Sequence, residues 1–371
     1  MPARRLRVLV LNPGSVTLKA TLLDHPDTEP RFDRTIDWGD DRAAGVRDVL
    51  EAVHGAGFES SSIDAVGYRV VHGGERFTSP VVVDASVVDA IESLEDLAPL
   101  HNPPATETIR AALAALPGAI HVAAFDTAFH ASLPEAARRY PVPDQWLTEW
   151  GVRRYGFHGL SVEWSVRRAA ELLGRPSEAL RLVVAHLGGG SSVTAVDAGR
   201  SVFTSMGLTP LEGLMMATRS GSIDPGAIIR VLRAGRSVDE VADDLDHRSG
   251  LLGVSGRSGD MRELLRAEAA GDDRSQLAIE MFVRRAAGGI AVAATALSAV
   301  DALVFTGGIG ENAVPVRERI TRRLAALGIK PVRGSGEGDG DSVLDIGPPA
   351  ILRVHAREDL VIADAAADLL A

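Results

Sequence analysis

Apolar residues along this chain gather in short runs broken by Gly, Pro, Ser and Asn, and the runs predict strands alternating with helices. Leu6–Leu11 reads as a buried strand, Asn12-Pro-Gly-Ser as a tight turn, and Thr17–Leu23 as a second strand. The same unit recurs at Leu180-Arg-Leu-Val-Val-Ala-His-Leu-Gly-Gly-Gly-Ser-Ser-Val-Thr-Ala-Val-Asp197, and both copies begin Leu-Arg. Two strand–turn–strand units in separate halves suggest an internal duplication. Helical patterns cover 43–56 and 106–116 in the first half. In the second they cover 162–173, 226–234, 276–299 and 314–327. Strand-like segments at 65–71, 120–125 and 302–305 intervene, and this alternation argues for an α/β fold. A domain break is expected between Phe129 and Tyr140, and Gly334–Asp341 reads as a solvated acidic loop.

Composition narrows the classes. The chain has 371 residues, enough for two domains, and at 46% hydrophobic and 24% charged it is globular in type. A net charge of −11 gives no general attraction for nucleic acid or an anionic membrane, so neither is expected as a partner. Cysteine is absent, which removes disulfides and thiolate chemistry and fits a cytoplasmic location. No run approaches the ~20 apolar residues of a membrane helix, and the apolar run after Arg4-Arg5 is too short for a secretory core. Lys19 and Lys330 are the only lysines, so arginine supplies nearly all positive charge and the place of each one matters more than the number.

Candidate chemistry sits at the turns. A Gly/Ser turn between strands can cradle phosphate oxygens with its N–H groups or be a plain hairpin; two copies favour the first. Thr306-Gly-Gly-Ile-Gly-Glu-Asn312 follows one strand and precedes a helix, where glycines permit close approach of a ligand or simply make a turn. Neither run has the spacing of a P-loop or a dinucleotide fingerprint. Asp126 closes the strand 120–125, where a carboxylate could hold Mg²⁺ or cap a turn. Tyr68-Arg-Val-Val-His-Gly-Gly-Glu75, Leu100-His-Asn-Pro103 and Arg154-Tyr-Gly-Phe-His-Gly159 each put a cation-capable side chain beside Gly or Pro. Thr218-Arg-Ser-Gly-Ser-Ile-Asp-Pro225 puts Arg219 in a turn-rich segment.

In order along nearly the whole chain, these peptides resemble the motifs of the acetate kinase family, and Thr204-Ser-Met-Gly-Leu-Thr-Pro-Leu-Glu-Gly-Leu-Met-Met216 is the most specific. The resemblance implies a duplicated actin-like (ribonuclease H-like) two-domain α/β kinase with its active-site cleft between domains. These would be 1–133, joined by a C-terminal helix at 359–371, and 134–358. It implies reversible Mg²⁺- or Mn²⁺-dependent phosphoryl transfer between ATP and acetate, giving acetyl phosphate and ADP in a homodimer. Arg69 and Arg219 would bracket the carboxylate and the transferring group, with His158 donating to the equatorial oxygens and His101 in support. Asn12, Asp126 and Glu358 are implied at the metal, and Ser15, Thr17, Lys19 and His186 along the phosphoryl path. Gly188, Gly189, Gly190, Asp260, Arg262, Gly308, Ile309, Gly310, Glu311 and Asn312 would contact nucleotide. Val71, Leu100, Phe157 and Pro210 would form a small apolar acyl pocket.

A carboxylate substrate has a pKa of roughly 4, is ionised at pH 7 and needs no general base. Catalysis then rests on positioning and charge neutralisation. The chain departs from the family pattern at Pro13, Val16, Gly189, where Asn is usual, and Phe203, where an acid is usual. A propionate or other short-acid kinase is the alternative within the class. A nucleotide-sensing relative without kinase activity is the alternative outside it, and it would not need Arg69, Arg219 and His158 together.

Overall fold

The computed structural model describes residues 5–14, 17–39, 41–99, 101–333 and 340–370. They form two compact units. The first comprises Met1–Ala131, His158–Trp164 and Arg357–Ala371, and the second Ser132–Phe157 and Ser165–Ala356.

The first unit is built on six strands: β1 (Leu6–Pro13), β2 (Thr17–His25), β3 (Phe32–Asp37), β4 (Ala65–Val70), β5 (Val81–Val82) and β6 (Ile120–Phe125), in the order β3-β2-β1-β4-β6-β5. β1, β4 and β6 run parallel, and β2, β3 and β5 are antiparallel to their neighbours. Side chains alternate between two faces, and both are covered. Leu9, Leu11, Val66, Tyr68, Ala123 and Phe125 meet Val46, Val49 and Val53 of helix Arg42–Gly55 and Ile109 of helix Asn102–Ala115. Val8, Val10, Ala65, Val122 and Ala124 meet Leu360, Val361 and Ile362 of the terminal helix Glu358–Leu370. That helix lies so close that a Cβ on Gly67 would stand 2.4 Å from Ile362 Cγ2.

The second unit repeats the plan with β7 (Arg181–Leu187), β8 (Ser191–Asp197), β9 (Arg200–Thr204), β10 (Ala302–Thr306), β11 (Ser342–Asp345) and β12 (Ala350–Arg353), ordered β11-β12-β10-β7-β8-β9. Read from the other edge, this is the first sheet's order with the same strand senses. One face packs on helices Met261–Ala269, Asp273–Ala294 and Val314–Arg323. The repeated Leu-Arg has a structural basis. Arg7 N–H donates to Asp64 Oδ2 at 2.9 Å and Asp64 N–H returns to Arg7 O at 2.9 Å. Arg181 N–H donates to Asp301 Oδ2 at 2.9 Å and Asp301 N–H returns to Arg181 O at 2.8 Å. Each aspartate immediately precedes the neighbouring parallel strand, β4 or β10, and locks its start to the first strand.

Several expected elements shift. The glycine run after β10 does not merely precede a helix; Gly307–Asn312 is itself helical, entered by Gly307 at φ 75°. The pattern over 276–299 starts at Asp273 and stops at Ala294, and that over 314–327 ends as an α-helix at Arg323 before a 3₁₀ turn. Most of the expected acidic loop at 334–341 lies outside the described residues. Among the described residues no helix is long and apolar enough to cross a membrane.

Candidate functional site

In the first unit, the C-terminal ends of three parallel strands bring together Asn12 on β1, Arg69 on β4 and Asp126 just after β6. In open α/β sheets this edge is where ligands bind. Asp126 is 1% exposed, and its backbone N–H donates to Val70 O at 3.0 Å. Its carboxylate takes Arg69 Nη2 at 2.6 Å and Nε at 3.2 Å to both oxygens. Arg69 Nη1 lies 3.3 Å from Glu358 Oε2 and 3.4 Å from Asn12 Oδ1, and Asn12 Nδ2 reaches the same Glu358 oxygen at 3.3 Å. Burial alone would weaken the Arg69 charge, but Asp126 and Glu358 outweigh it and raise its pKa. Glu358 opens the terminal helix, so the same packing that buries Ile362 delivers this carboxylate to the cluster.

Next to this cluster, His158 holds φ 60°, an uncommon conformation for a residue with a Cβ and one that collects at functional sites. Gly159 follows because a Cβ there would stand 2.2 Å from Asp126 O; its N–H donates to that oxygen at 2.9 Å. Val71 is buried in a turn fixed by Asn102, which accepts from His72 N–H and donates to His72 O, both at 3.1 Å. His101 is the residue before that helix and Thr127 Oγ1 accepts from Gly73 N–H at 3.0 Å. Sequence reasoning missed Asn102 and Thr127, although both stand inside recognised motifs. Lys19, directly opposite Asn12 in the β1–β2 ladder, pairs with Asp33 at 3.3 Å. Thr17 O accepts from Gly14 N–H at 2.7 Å, closing the first turn. Ser15, Val16 and Leu100 lie outside the described residues.

In the second unit the corresponding edge carries glycines. β7 ends at His186-Leu187, and Gly188 N–H donates to Gly190 O at 3.0 Å to close the hairpin. A Cβ on Gly307 would meet Leu187 O at 2.8 Å and His186 Nε2 at 3.1 Å, and one on Gly188 would lie 3.7 Å from Gly308 N. His186, Gly188 and the start of the Gly307–Asn312 helix, which contains Ile309, therefore share one small space. Gly189 is exposed, and nothing lies within 4 Å of where its Cβ would be. Other implied nucleotide residues have structural partners. The Glu311 carboxylate takes Ala356 N–H at 3.0 Å and the His355 ring; burial opposes its charge, but these bonds lower its pKa. Asp260 caps helix Met261–Ala269 by accepting from Arg262 N–H at 2.8 Å and also binds the Arg262 guanidinium, which lowers its pKa to about 2. Asn312 Nδ2 donates to Gly308 O at 2.9 Å, and the buried Arg317 donates to Gly310 O at 2.8 Å and Glu311 O at 2.7 Å.

Arg219 in the same unit donates to Pro210 O at 3.3 Å and is in no carboxylate ion pair within 4 Å among the described residues. Burial lowers its pKa, only partly offset by Asp246. A sheltered guanidinium held by a carbonyl is ready to receive an anion. Phe157, 1% exposed, ends the Arg153–Phe157 segment.

Two α/β sheets of one topology, one edged by carboxylates and arginine and the other by a glycine cradle, define a two-domain actin-like α/β protein. The chain belongs to the acetokinase family, whose model matches residues 33–364. It is 45% identical over 383 residues to the acetate kinase of Deinococcus radiodurans, covering 96% of each chain. It is 50% identical over 315 residues to that of Synechococcus, covering 84% of this chain and 78% of the other. Among solved structures, acetate kinase from Porphyromonas gingivalis superposes with a TM-score of 0.91 at 34% identity, covering 99% of this chain and 100% of that one. A propionate kinase from Francisella tularensis gives 0.86, also at 34% identity, over 97% and 98%.

Proposed function

We propose that this chain catalyses its family's reaction, reversible phosphoryl transfer between ATP and acetate to give acetyl phosphate and ADP. The observation that carries this reading is the Asn12–Arg69–Asp126–Glu358 cluster at the ends of β1, β4 and β6. An ionised acid attacking an anionic phosphoryl group needs neutralising charge, and this cluster collects charge where ligands of such sheets bind.

In this reading Arg69 and Arg219 hold the acid and the transferring group, and His158 donates to its oxygens with His101 in support. Thr17, Lys19 and His186 line the phosphoryl path with Ser15. Gly188–Gly190, Asp260, Arg262 and Gly308–Asn312 surround the nucleotide, and Val71, Leu100, Phe157 and Pro210 the methyl group. A divalent cation fits the donor set: Asp126, Glu358 and the Asn12 amide are hard oxygen ligands. Mg²⁺ bound through one or two carboxylates completes its shell with water and phosphate. Bound there, Mg²⁺ would neutralise phosphate charge. Family resemblance adds a homodimer formed through residues 134–358, a first domain of 1–133 joined by 359–371, and a cytoplasmic setting that the lack of cysteine fits.

Purified protein with MgATP and acetate, propionate, butyrate or no acid, with hydroxylamine to trap acyl phosphate, tests the reading. Hydroxamate with acetate above the other acids is the expected result. Greater yield with propionate would move the assignment to a propionate kinase. No acyl phosphate with any acid, alongside intact nucleotide binding, would sink it.

A further inference from the structure

The segment from Thr204 to Glu212 carries Pro210, and Pro210 O in turn carries Arg219. It has little secondary structure after β9, yet two side chains from elsewhere in the second unit, Arg154 and Tyr140, hold it together with its own Glu212. Arg154 Nη1 donates to the carbonyls of Thr204, Ser205 and Met206 at 3.3, 3.1 and 2.8 Å, and Nη2 donates to Glu212 Oε1 at 2.7 Å. The other Glu212 oxygen accepts from the Tyr140 hydroxyl, whose oxygen accepts from Leu208 N–H at 2.9 Å. The Arg154 guanidinium also lies 5.3 Å from the Tyr140 ring centroid. Gly207 fits because it has no side chain: a Cβ would stand 1.9 Å from Glu212 Oε2 and 2.1 Å from the Tyr140 oxygen. Both ends and the middle of the segment are thus tied to one network, and only Thr209-Pro210-Leu211 stands clear of it.

We propose that Tyr140, Glu212 and Arg154 are positioning residues that set the height of Pro210, and through it the apolar wall that Pro210 offers the acyl group and the reach of Arg219. This rests on the functional reading of Pro210 and Arg219 above. Both Glu212 carboxylate oxygens, the Tyr140 hydroxyl and both terminal nitrogens of Arg154 are engaged, so loss of one bond leaves the others holding the segment. A pocket wall that moves changes selectivity between acids differing by one methylene, a discrimination of roughly 10–200-fold in a well-fitted apolar site.

Tyr140→Phe keeps the ring against Arg154 and removes only the hydroxyl. The full chain carrying Tyr140→Phe, or Glu212→Gln, would be assayed for acyl phosphate with acetate and propionate, and for nucleotide KM. Expected for Tyr140→Phe is an acetate KM raised about tenfold with kcat within about threefold. The propionate-to-acetate ratio of kcat/KM should rise by about tenfold and nucleotide KM should stay unchanged. Glu212→Gln, which can still accept from Tyr140, should shift the ratio in the same direction by less. An unchanged ratio in both variants would overturn the proposal. So would a fall in which acid KM, kcat and nucleotide KM worsen together, since that marks general structural damage. Wild-type protein that makes no acyl phosphate would instead defeat the functional reading on which the proposal stands.

Discussion

The two sheets are alike at the edge where their strands begin and unlike at the edge where they end. At the beginning, Arg7 with Asp64 and Arg181 with Asp301 make the same reciprocal backbone–carboxylate lock. At the end, the first sheet presents Asn12, Arg69 and Asp126, whereas the second presents His186 and glycines at 188–190, 307 and 308. The retained edge is about holding parallel strands in register. In open α/β sheets the diverged edge is the one that binds ligands, and here charge gathers at it in one copy while backbone access opens at it in the other.

Breaking the charged edge should have the largest effect. Arg69→Ala should cut acyl phosphate formation by roughly 10²–10³-fold, the scale of losing one charge-stabilising donor. It should also cost about 3–5 kcal/mol of stability, because the buried Asp126 carboxylate would lose the Arg69 guanidinium that pairs with it. Hydroxamate yield and denaturant midpoint read the two losses separately. If activity falls and the midpoint does not, Asp126 is not held by Arg69 as described.

The glycine edge can be sharpened by two neighbouring substitutions with opposite outcomes. Gly307→Ala places a Cβ at φ 75° and 2.8 Å from Leu187 O, which should cost about 1–3 kcal/mol and weaken nucleotide binding. Gly189→Ala meets open space at an ordinary φ and should be neutral, or stabilising by up to about 1 kcal/mol through the unfolded chain. Equal thermal shifts in the two would refute the geometry. The contrast also separates two reasons for glycine: position 307 requires it, whereas position 189 merely has it.

The retained edge gives the smallest effect, and it depends on pH. Burial opposes the Asp301 charge, but bonds from Arg181 and Arg175 outweigh it and lower its pKa to about 2. Its folded pKa lies below the unfolded value near 4, so its contribution is present above pH 4 and is lost as pH falls from about 4 to 2. Asp301→Asn should therefore cost about 1–2 kcal/mol at pH 7 and flatten the acid limb of the stability curve, read by denaturation at a series of pH values. An acid limb with unchanged slope would assign that loss to other carboxylates.

Much of this was legible along the chain. Leu6–Leu11 and Leu182–Leu187 are recognisable as strands because residues buried on both faces leave a continuous apolar run, and the repeated Leu-Arg pointed to the duplication. The edge strand β3 was not legible. β3 has the sequence Phe-Asp-Arg-Thr-Ile-Asp and no fully buried residue, so its pattern is mostly polar. Helix Pro225–Arg233 was recognisable by its apolar spacing, yet none of its residues is buried. Glu358 was placed through family likeness alone, since nothing in His-Ala-Arg-Glu-Asp marks a helix start that will face β1 and β4.

Fold class, the repeat and the identity of the chemical groups could be read along the chain, because hydrophobic period and turn chemistry are local properties. Which of those groups meet was fixed by packing in three dimensions. Asn12, Arg69, Asp126 and Glu358 are scattered over almost the whole chain, and they converge because three parallel strands end at one edge and the terminal helix packs across them. The same holds for Tyr140, Arg154 and Glu212, whose network exists only once a strand end, a Pro-rich segment and a loop are folded together. Hydrogen bonds and ion pairs act over a few ångströms, and distance in space is what folding creates.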